Sequence, residues 1–159
     1  MVDSDDFRSV MRNLVAGVTV VTTSFEGKPS GMTATSFTSV SMDPMLVQVS
    51  LDRDSRTHDA VEASGKFAVN ILAADQEDIA RHFSTAGVDR FQVCEFRDGA
   101  TGMPLIAGAI GHLECSVVEE TEGGDHTIFI GQVVHVDTED RPPLLYFQGE
   151  YRHLSERNG

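Results

Sequence analysis

The sequence has no tryptophan, only two cysteines, and about half as many basic residues as acidic ones. Cys94 and Cys115 form no CxxC motif and have no His/Cys cluster beside them, so nothing in the sequence indicates a metal site. We interpret both as buried, reduced thiols. Twelve Lys and Arg against 25 Asp and Glu give a net charge of −13. This balance argues against nucleic acid or an anionic membrane surface as a partner.

Long apolar runs are also missing. No stretch approaches the ~20 consecutive apolar residues of a membrane-spanning helix, and the acidic N-terminus lacks the apolar centre of a signal peptide. We therefore expect a cytoplasmic protein. Its 159 residues suit a single domain, 1–159, large enough to bury a core without a metal or a disulfide.

Strand patterns dominate what is present. β-branched and alternating stretches predict strands over 15–25, 32–40, 45–51, 66–72, 109–120, 127–137 and 141–154. Turn residues over 26–31 predict a hairpin between the first two. Capping signals and apolar spacing predict short helices after Ser4, between Asp54 and Gly65, and over 73–84. The stretch 84–102 is predicted to be a loop. About seven strands with few helices predict a closed β-barrel with short helices on its rim.

Hydroxyl side chains are concentrated between Gly31 and His58. Strand alternation would place Thr33, Thr35 and Phe37 on one face. Short hydroxyl donors suit a solvated strand face, and they also suit the polar edge of a flat heteroaromatic ligand. Both interpretations stay open at this point.

The "DSRT" stretch follows a strongly predicted strand and opens a predicted helix. Ser55, Arg56 and Thr57 supply two hydroxyls and a guanidinium at a helix N-terminus, a combination that suits a phosphate group. The alternative is that Arg56 is only a solvated charge. His58 at the same turn is interpreted as an imidazole facing the interior.

His126 lies in "EGGDH", where two glycines allow close approach of another molecule. Asp125 beside it is positioned to orient the ring. The alternative is an ordinary histidine in a hairpin turn, because Gly-Asp turns are common.

Taken in order, "GVTVVTT", "GMTATSFTSVSMDP", "DSRTHDAVEASGKFAVNIL", "DRF", "GMPLIAGAIGHLECSV" and "GGDHTIFIGQVVHV" resemble the flavin reductase-like family, as does the closing "PLLYFQGEYRHL". The resemblance covers nearly the whole chain, from about Phe7 to Leu154. It implies an FMN-binding split β-barrel that is normally a homodimer. It also implies NAD(P)H-dependent reduction of FMN or FAD, with reduced flavin supplied to a flavin-dependent monooxygenase.

The resemblance further implies residue roles. The segment from Thr33 to Phe37 would lie along the isoalloxazine, and the segment ending at Thr57 would receive the phosphate. His126 would lie near the nicotinamide as the catalytic residue. The implied cofactor-binding residues are Thr33, Ala34, Thr35, Ser36, Phe37, Ser50, Leu51, Asp52, Ser55, Arg56, Thr57, Arg90, Phe91 and Tyr151.

Two details qualify these expectations. Thr35 stands where the family usually has asparagine, so a hydroxyl remains and an amide is lost. The acidic chain offers no basic patch for a 2′-phosphate, so NADH is expected rather than NADPH. Two alternatives stay open, because fold does not fix function: a flavin-binding redox protein with another acceptor, such as a corrinoid or a bound quinone, and a non-catalytic flavin carrier.

Overall fold

Twelve strands and three α-helices occur in residues 1–155, which the computed structural model describes. The helices are α1 (Ser4–Met11), α2 (Arg56–Ser64) and α3 (Glu77–Phe83), and a 3₁₀ turn spans Arg90–Val93. The strands are β1 (Ala16–Gly17), β2 (Thr19–Phe25), β3 (Lys28–Ala34), β4 (Thr38–Met42), β5 (Met45–Asp52), β6 (Lys66–Ile71), β7 (Phe96–Asp98), β8 (Pro104–Ile106), β9 (Gly111–Gly123), β10 (His126–Thr138), β11 (Leu144–Phe147) and β12 (Glu150–His153). The predicted mainly β class with short helices is confirmed. No helix of this described part is long and apolar enough to cross a membrane.

The main sheet has seven strands in the order β3-β2-β6-β9-β10-β5-β4, so β3 and β4 are its two ends. Laid flat, six interstrand spacings would separate those ends by about 29 Å. Yet only residues 35–37 join Ala34 to Thr38, a connection that reaches about 14 Å at most. The sheet therefore has to curl until its two ends come together, as in the predicted barrel.

Alternation along β2 supplies both main apolar clusters. Val21 faces the inside of the curled sheet, where it packs with Val49, Phe67 and Phe129. Val20 faces the other side, where it joins a cluster beneath α3 and β11. Neighbouring strand residues point to opposite faces, so β2 is covered on both sides, and its first five residues are all buried although three of them are threonines.

Local capping chemistry sets the bounds of α2 as predicted. The Ser55 hydroxyl accepts a hydrogen bond from the backbone N–H of His58 at 3.1 Å. Gly65, at φ 66°, ends the helix in the left-handed conformation that glycine adopts without strain. For α1 the predicted cap is wrong. Asp3, one residue earlier, accepts from the N–H groups of Asp5 and Asp6 at 2.9 and 2.8 Å.

Three segments differ from the predicted strands and loops. The hairpin turn shrinks to Glu26 and Gly27, both at positive φ, and β3 already begins at Lys28, with Pro29 tolerated because the strand is at a sheet end. The predicted strand 32–40 is interrupted at 35–37. The predicted loop 84–102 contains the 3₁₀ turn and β7, and the stretch 141–154 forms the β11–β12 hairpin.

Candidate functional site

Residues 35–37, which we call the link, lie where the two ends of the main sheet meet. The Ser36 hydroxyl donates to the carbonyl of Ser50 at 2.8 Å and accepts from its N–H at 3.2 Å, so the link is fixed against β5. Thr35 and Ser36 are exposed, and Phe37 is half-buried. The predicted alternation of faces beyond Ala34 is wrong, because the chain leaves the strand there.

The backbone N–H groups of the link have no partner in the described chain. Among the described residues, none of the three N–H groups of the link finds a hydrogen-bond acceptor. A groove of about 540 Å³ runs beside them, within the ~300–1,000 Å³ typical of small-molecule sites. Its lining residues are Leu14, Val15, Ala16, Gly17, Thr19, Thr35, Ser36, Phe37, Thr38 and Ile71. Four of them belong to the hydroxyl-rich stretch, so this groove is the candidate site.

Asp52 and His126 are brought together at the far end of β5. They are direct partners across the antiparallel β5–β10 pair. The His126 side chain is 41% exposed, and its Nδ1 lies 2.8 Å from Asp125 Oδ1. This hydrogen bond, together with the imidazole charge, lowers the pKa of Asp125. His126 Nε2 has no hydrogen-bond partner within residues 1–155.

The three residues predicted to hold a phosphate have different roles at the start of α2. Ser55 caps the helix, and its hydroxyl also donates to the carbonyl of Asp52 at 2.8 Å. Thr57 is buried, with its Oγ1 3.0 Å from the hydroxyl of Ser30. Arg56 is exposed. Only the guanidinium is therefore directed to solvent, and the two hydroxyls hold the turn in place.

Arg90 adds a second guanidinium near Arg56. It donates to the carbonyls of Gly31 at 2.7 Å and Thr85 at 3.2 Å. Partial burial, and secondarily the positive charge of Arg56, lower the pKa of Arg90. In the part of the chain described, neither arginine has a carboxylate within ion-pair distance. Two cations held close together without an acidic partner favour an anionic ligand.

The side chains of three further predicted residues make structural contacts within the protein. Thr33 donates its hydroxyl to the carbonyl of Ala80 in α3 at 2.6 Å. Ala34 and Leu51 are buried in the core inside the curled sheet. These residues position the link and the end of β5, and their side chains do not line the groove.

Two predicted aromatic residues lie on the α3 side. Phe91 stacks edge-on against Phe83, with ring centroids 5.1 Å apart. The guanidinium of Arg81 lies over the ring of Tyr151, with its Cζ 4.8 Å from the ring centroid. The Tyr151 ring also contacts that of Tyr146 at 5.3 Å. Tyr146 in turn lines a second groove of about 420 Å³ that also includes Thr35 and Ser36, so Tyr151 supports a ring that borders the link.

The sequence analysis missed most of the opposite wall of the site. Leu14, Ala16 and Gly17 line the groove, and the two grooves share the first two of these. They carry no polar signature, and only the curled sheet brings them to the link. Ser30, the partner of Thr57, was missed for the same reason.

Cysteine chemistry is not part of this site. Cys115 is buried, and burial followed by the charge of Glu114 raises its pKa to about 12. Cys94 is half-buried, and burial raises its pKa as well. Both thiols stay protonated and unreactive near neutral pH.

The fold and the groove define a mainly β protein with a candidate site for a small molecule, and comparison with known proteins identifies the family. Residues 11–155 match the flavin reductase like domain, and the chain belongs to this family. The predicted family is thereby confirmed.

Relatives of this chain are named as flavin reductases or as reductase components of monooxygenases. An NADH-dependent FAD reductase from Streptomyces globisporus is 42% identical over 159 residues, covering 96% of this chain and 87% of that protein. The reductase component of a 4-nitrophenol 4-monooxygenase/4-nitrocatechol 2-monooxygenase from Rhodococcus opacus is 36% identical, covering 96% and 82%. The solved structure of the NADH:FAD oxidoreductase SgcE6 of Streptomyces globisporus C-1027, in complex with NAD and FAD fragments, superposes with a TM-score of 0.93 at 41% identity, covering 100% and 99%. The predicted activity is the one that these names state for those proteins.

Proposed function

We propose that this chain is an NADH-dependent flavin reductase that reduces FAD or FMN and supplies the product to a partner monooxygenase. The observation that carries the proposal is the groove along the link, where three backbone N–H groups without an acceptor in the described chain lie beside an apolar wall. The names of the relatives support the same activity.

The residues present fit a flavin. The backbone N–H groups of Thr35, Ser36 and Phe37 would donate to the polar edge of the isoalloxazine, because the Ser36 hydroxyl is already bonded to Ser50. Arg56, the first residue of the nine-residue helix α2, and the nearby Arg90 would hold the phosphate. A bound flavin supplies the hydride acceptor, and the protein supplies binding and orientation.

His126 would contact the nicotinamide of NADH. Asp125 holds Nδ1, which fixes the ring orientation and leaves Nε2 to meet the carboxamide. The apolar wall of the groove would exclude water from the reacting rings. The net charge of −13 gives no general attraction for an additional 2′-phosphate, which supports NADH over NADPH.

The remaining predicted residues act by positioning. Ser50 anchors Ser36, Asp52 and Thr57 hold the turn before α2 and its first turn, and Thr33 fixes β3 to α3. Phe91 packs against Phe83 of α3, and Tyr151 supports Tyr146 at the second groove.

We also propose that the protein works in the cytoplasm as a homodimer. Phe7, Val10 and Leu14 on or just after α1 are each at least 60% exposed, and Leu14 lines the groove. A second copy covering this apolar face would close the site from the side that one chain leaves open.

The activity test mixes the purified protein with NADH and a catalytic amount of FAD or FMN under air, and follows the nicotinamide absorbance. We expect rapid, flavin-dependent loss of NADH. A rate no higher than that of free flavin alone would refute the proposal. Slow loss with tightly bound yellow cofactor would instead identify a flavoprotein with another acceptor, or a carrier.

Ser36→Ala refines this test. Without the hydroxyl, the link loses its two bonds to Ser50, so we expect a several-fold higher KM for flavin. Ser39→Ala on β4, also exposed, is the matched control and should leave that KM unchanged.

A further inference from the structure

A second concave surface lies between α2 and the β2–β3 hairpin, and we call it the α2 trough. Arg56, Ala60 and Ala63 are spaced i, i+4, i+7 and form one face of α2. The tip of the hairpin faces them with Phe25 and Lys28. The trough encloses about 520 Å³, and its remaining lining residues are Pro29, Ser30 and Asp59. The two alanines leave the space that larger side chains would fill.

Hydrogen bonds at the two ends of α2 fix the direction of the trough. Thr57 at the N-terminal end contacts Ser30 of β3 at 3.0 Å, and Ser64 at the C-terminal end contacts Thr23 of β2 at 2.9 Å. Ser30 and Thr23 are partners across the hairpin, so the helix crosses it. From Arg56 to Ala63 the trough then spans about 10 Å along the helix, running from the β3 side towards the β2 side.

The trough carries positive charge in an acidic protein. Lys28 and Arg56 have no carboxylate within ion-pair distance in residues 1–155. The one acidic side chain of the lining, Asp59, is hydrogen-bonded to His58 Nδ1 at 3.1 Å. Phe25 is 41% exposed. Two cations, an accessible aromatic ring and a floor of small residues suit a phosphate followed by a purine base.

We propose that the α2 trough binds the adenosine phosphate half of FAD, which is the part that FMN lacks. This rests on the proposed function, which assigns the flavin phosphate to Arg56 at one end of the trough. Lys28 contacts the second phosphate, and the adenine stacks on Phe25. The trough thereby gives the protein a preference for FAD over FMN. NADH carries the same adenosine phosphate group, so the test separates the two sources.

The first experiment measures equilibrium binding by isothermal titration calorimetry without NADH, with FAD and FMN titrated separately. For Lys28→Ala we expect the Kd for FAD to rise about fivefold while the Kd for FMN stays within about twofold, as expected for loss of one exposed charged contact to a ligand phosphate. Lys66→Ala, which removes an exposed lysine at the other end of α2, is the matched control and should change neither.

The second experiment fills the trough. Ala63 is exposed on α2, and both Glu and Gln are good helix formers, so Ala63→Glu and Ala63→Gln should fold alike. Glu repels the FAD phosphates as well as occupying space. We expect the FAD Kd to rise about tenfold with Glu and less with Gln, and the FMN Kd to stay unchanged in both.

The outcomes separate this inference from the proposed function. If the Lys28 and Ala63 variants bind FAD and FMN equally more weakly, or if neither Kd changes, the trough assignment is overturned while the proposed activity stands. A higher KM for NADH with FMN as acceptor would assign the trough to NADH and also overturn it. If the wild-type protein binds neither flavin, the proposed function fails, and this inference fails with it.

Discussion

His126, the residue predicted to be catalytic, is fixed by two neighbours. Its Nδ1 is held by Asp125 at 2.8 Å, and β10 places it opposite Asp52 at the end of β5. The ring is therefore oriented by a neighbour in sequence and located by a neighbour in the sheet.

This geometry predicts a selective effect of His126→Ala. We expect the KM for NADH to rise about tenfold, because a contact to the nicotinamide is lost, while the Kd for flavin stays within about twofold. Steady-state kinetics and flavin titration measure the two quantities. His153→Ala, another exposed histidine, is the control, and equal losses in NADH and flavin affinity would contradict the assignment.

Residue by residue, the sequence predicted what depends on local chemistry. Asp54 or Ser55 was predicted to begin α2 and Gly65 to end it, and Ser55 and Gly65 do so, because capping involves only a few neighbouring residues. The accessibility of Thr57 was not predictable, because its hydroxyl is taken by Ser30, which is 27 positions away in the chain. Likewise, the orientation of Ser36 is set by Ser50 in another strand.

At the scale of elements, β9 holds the loop between β7 and β8 through one carboxylate. Glu114, 4% exposed, accepts hydrogen bonds from the N–H groups of Ala100 at 3.0 Å and Thr101 at 2.7 Å, and from the hydroxyl of Thr101 at 2.5 Å. A Cβ added to Gly99 would lie 2.5 Å from this carboxylate, so a larger residue there would displace the carboxylate from its hydrogen bonds. Burial alone would raise the pKa of Glu114, but the three hydrogen bonds outweigh it and lower the pKa.

Because the folded pKa of Glu114 lies below its unfolded value, the ionised carboxylate stabilises the fold above the unfolded pKa of ~4.3. This contribution is lost as the pH falls through the folded pKa. We expect Glu114→Gln to lower the free energy of unfolding by roughly 1–3 kcal/mol at neutral pH, with the deficit shrinking below about pH 4. Urea unfolding at several pH values measures this. Glu119→Gln, exposed on the same strand, is the control, and a deficit independent of pH would contradict the assignment.

Most elements could be predicted because their patterns are regular. β2, β5 and β10 were identified from β-branched density, since strands buried on at least one face require it. The break at the link was missed, because "TATSFTSV" has the pattern of one continuous strand. The break occurs because the chain passes there from one end of the curled sheet to the other. β7 was missed because its three residues are all exposed and carry no apolar alternation.

At the scale of the whole molecule, α1 has an apolar face that is exposed in the single chain and that the proposed dimer would cover. Phe7 and Val10 are 60% and 69% exposed, although their spacing is that of a helix face that packs against something. No residue of α1 is buried. Within the described chain the helix is amphipathic without a partner for its apolar side.

We therefore expect sedimentation equilibrium to give twice the mass of one chain for the wild type. Val10→Glu places a charge in the apolar face and should shift the protein towards monomers, with a loss of flavin reduction because the groove is left open. Ser9→Glu, one position away on α1, should remain dimeric. A wild-type monomer with full reductase activity would contradict the dimer.

The meeting of β3 and β4 has a consequence for variation among proteins built this way. Three residues span the seam of the rolled sheet, and the same three offer their amides to the groove. The side chain at position 35 is free to differ, as threonine in place of the family's usual asparagine illustrates, whereas the hydroxyl of Ser36 is bonded to Ser50. Insertions are not tolerated in the same way, since a longer seam would let the first and last strands separate and carry the amides out of line.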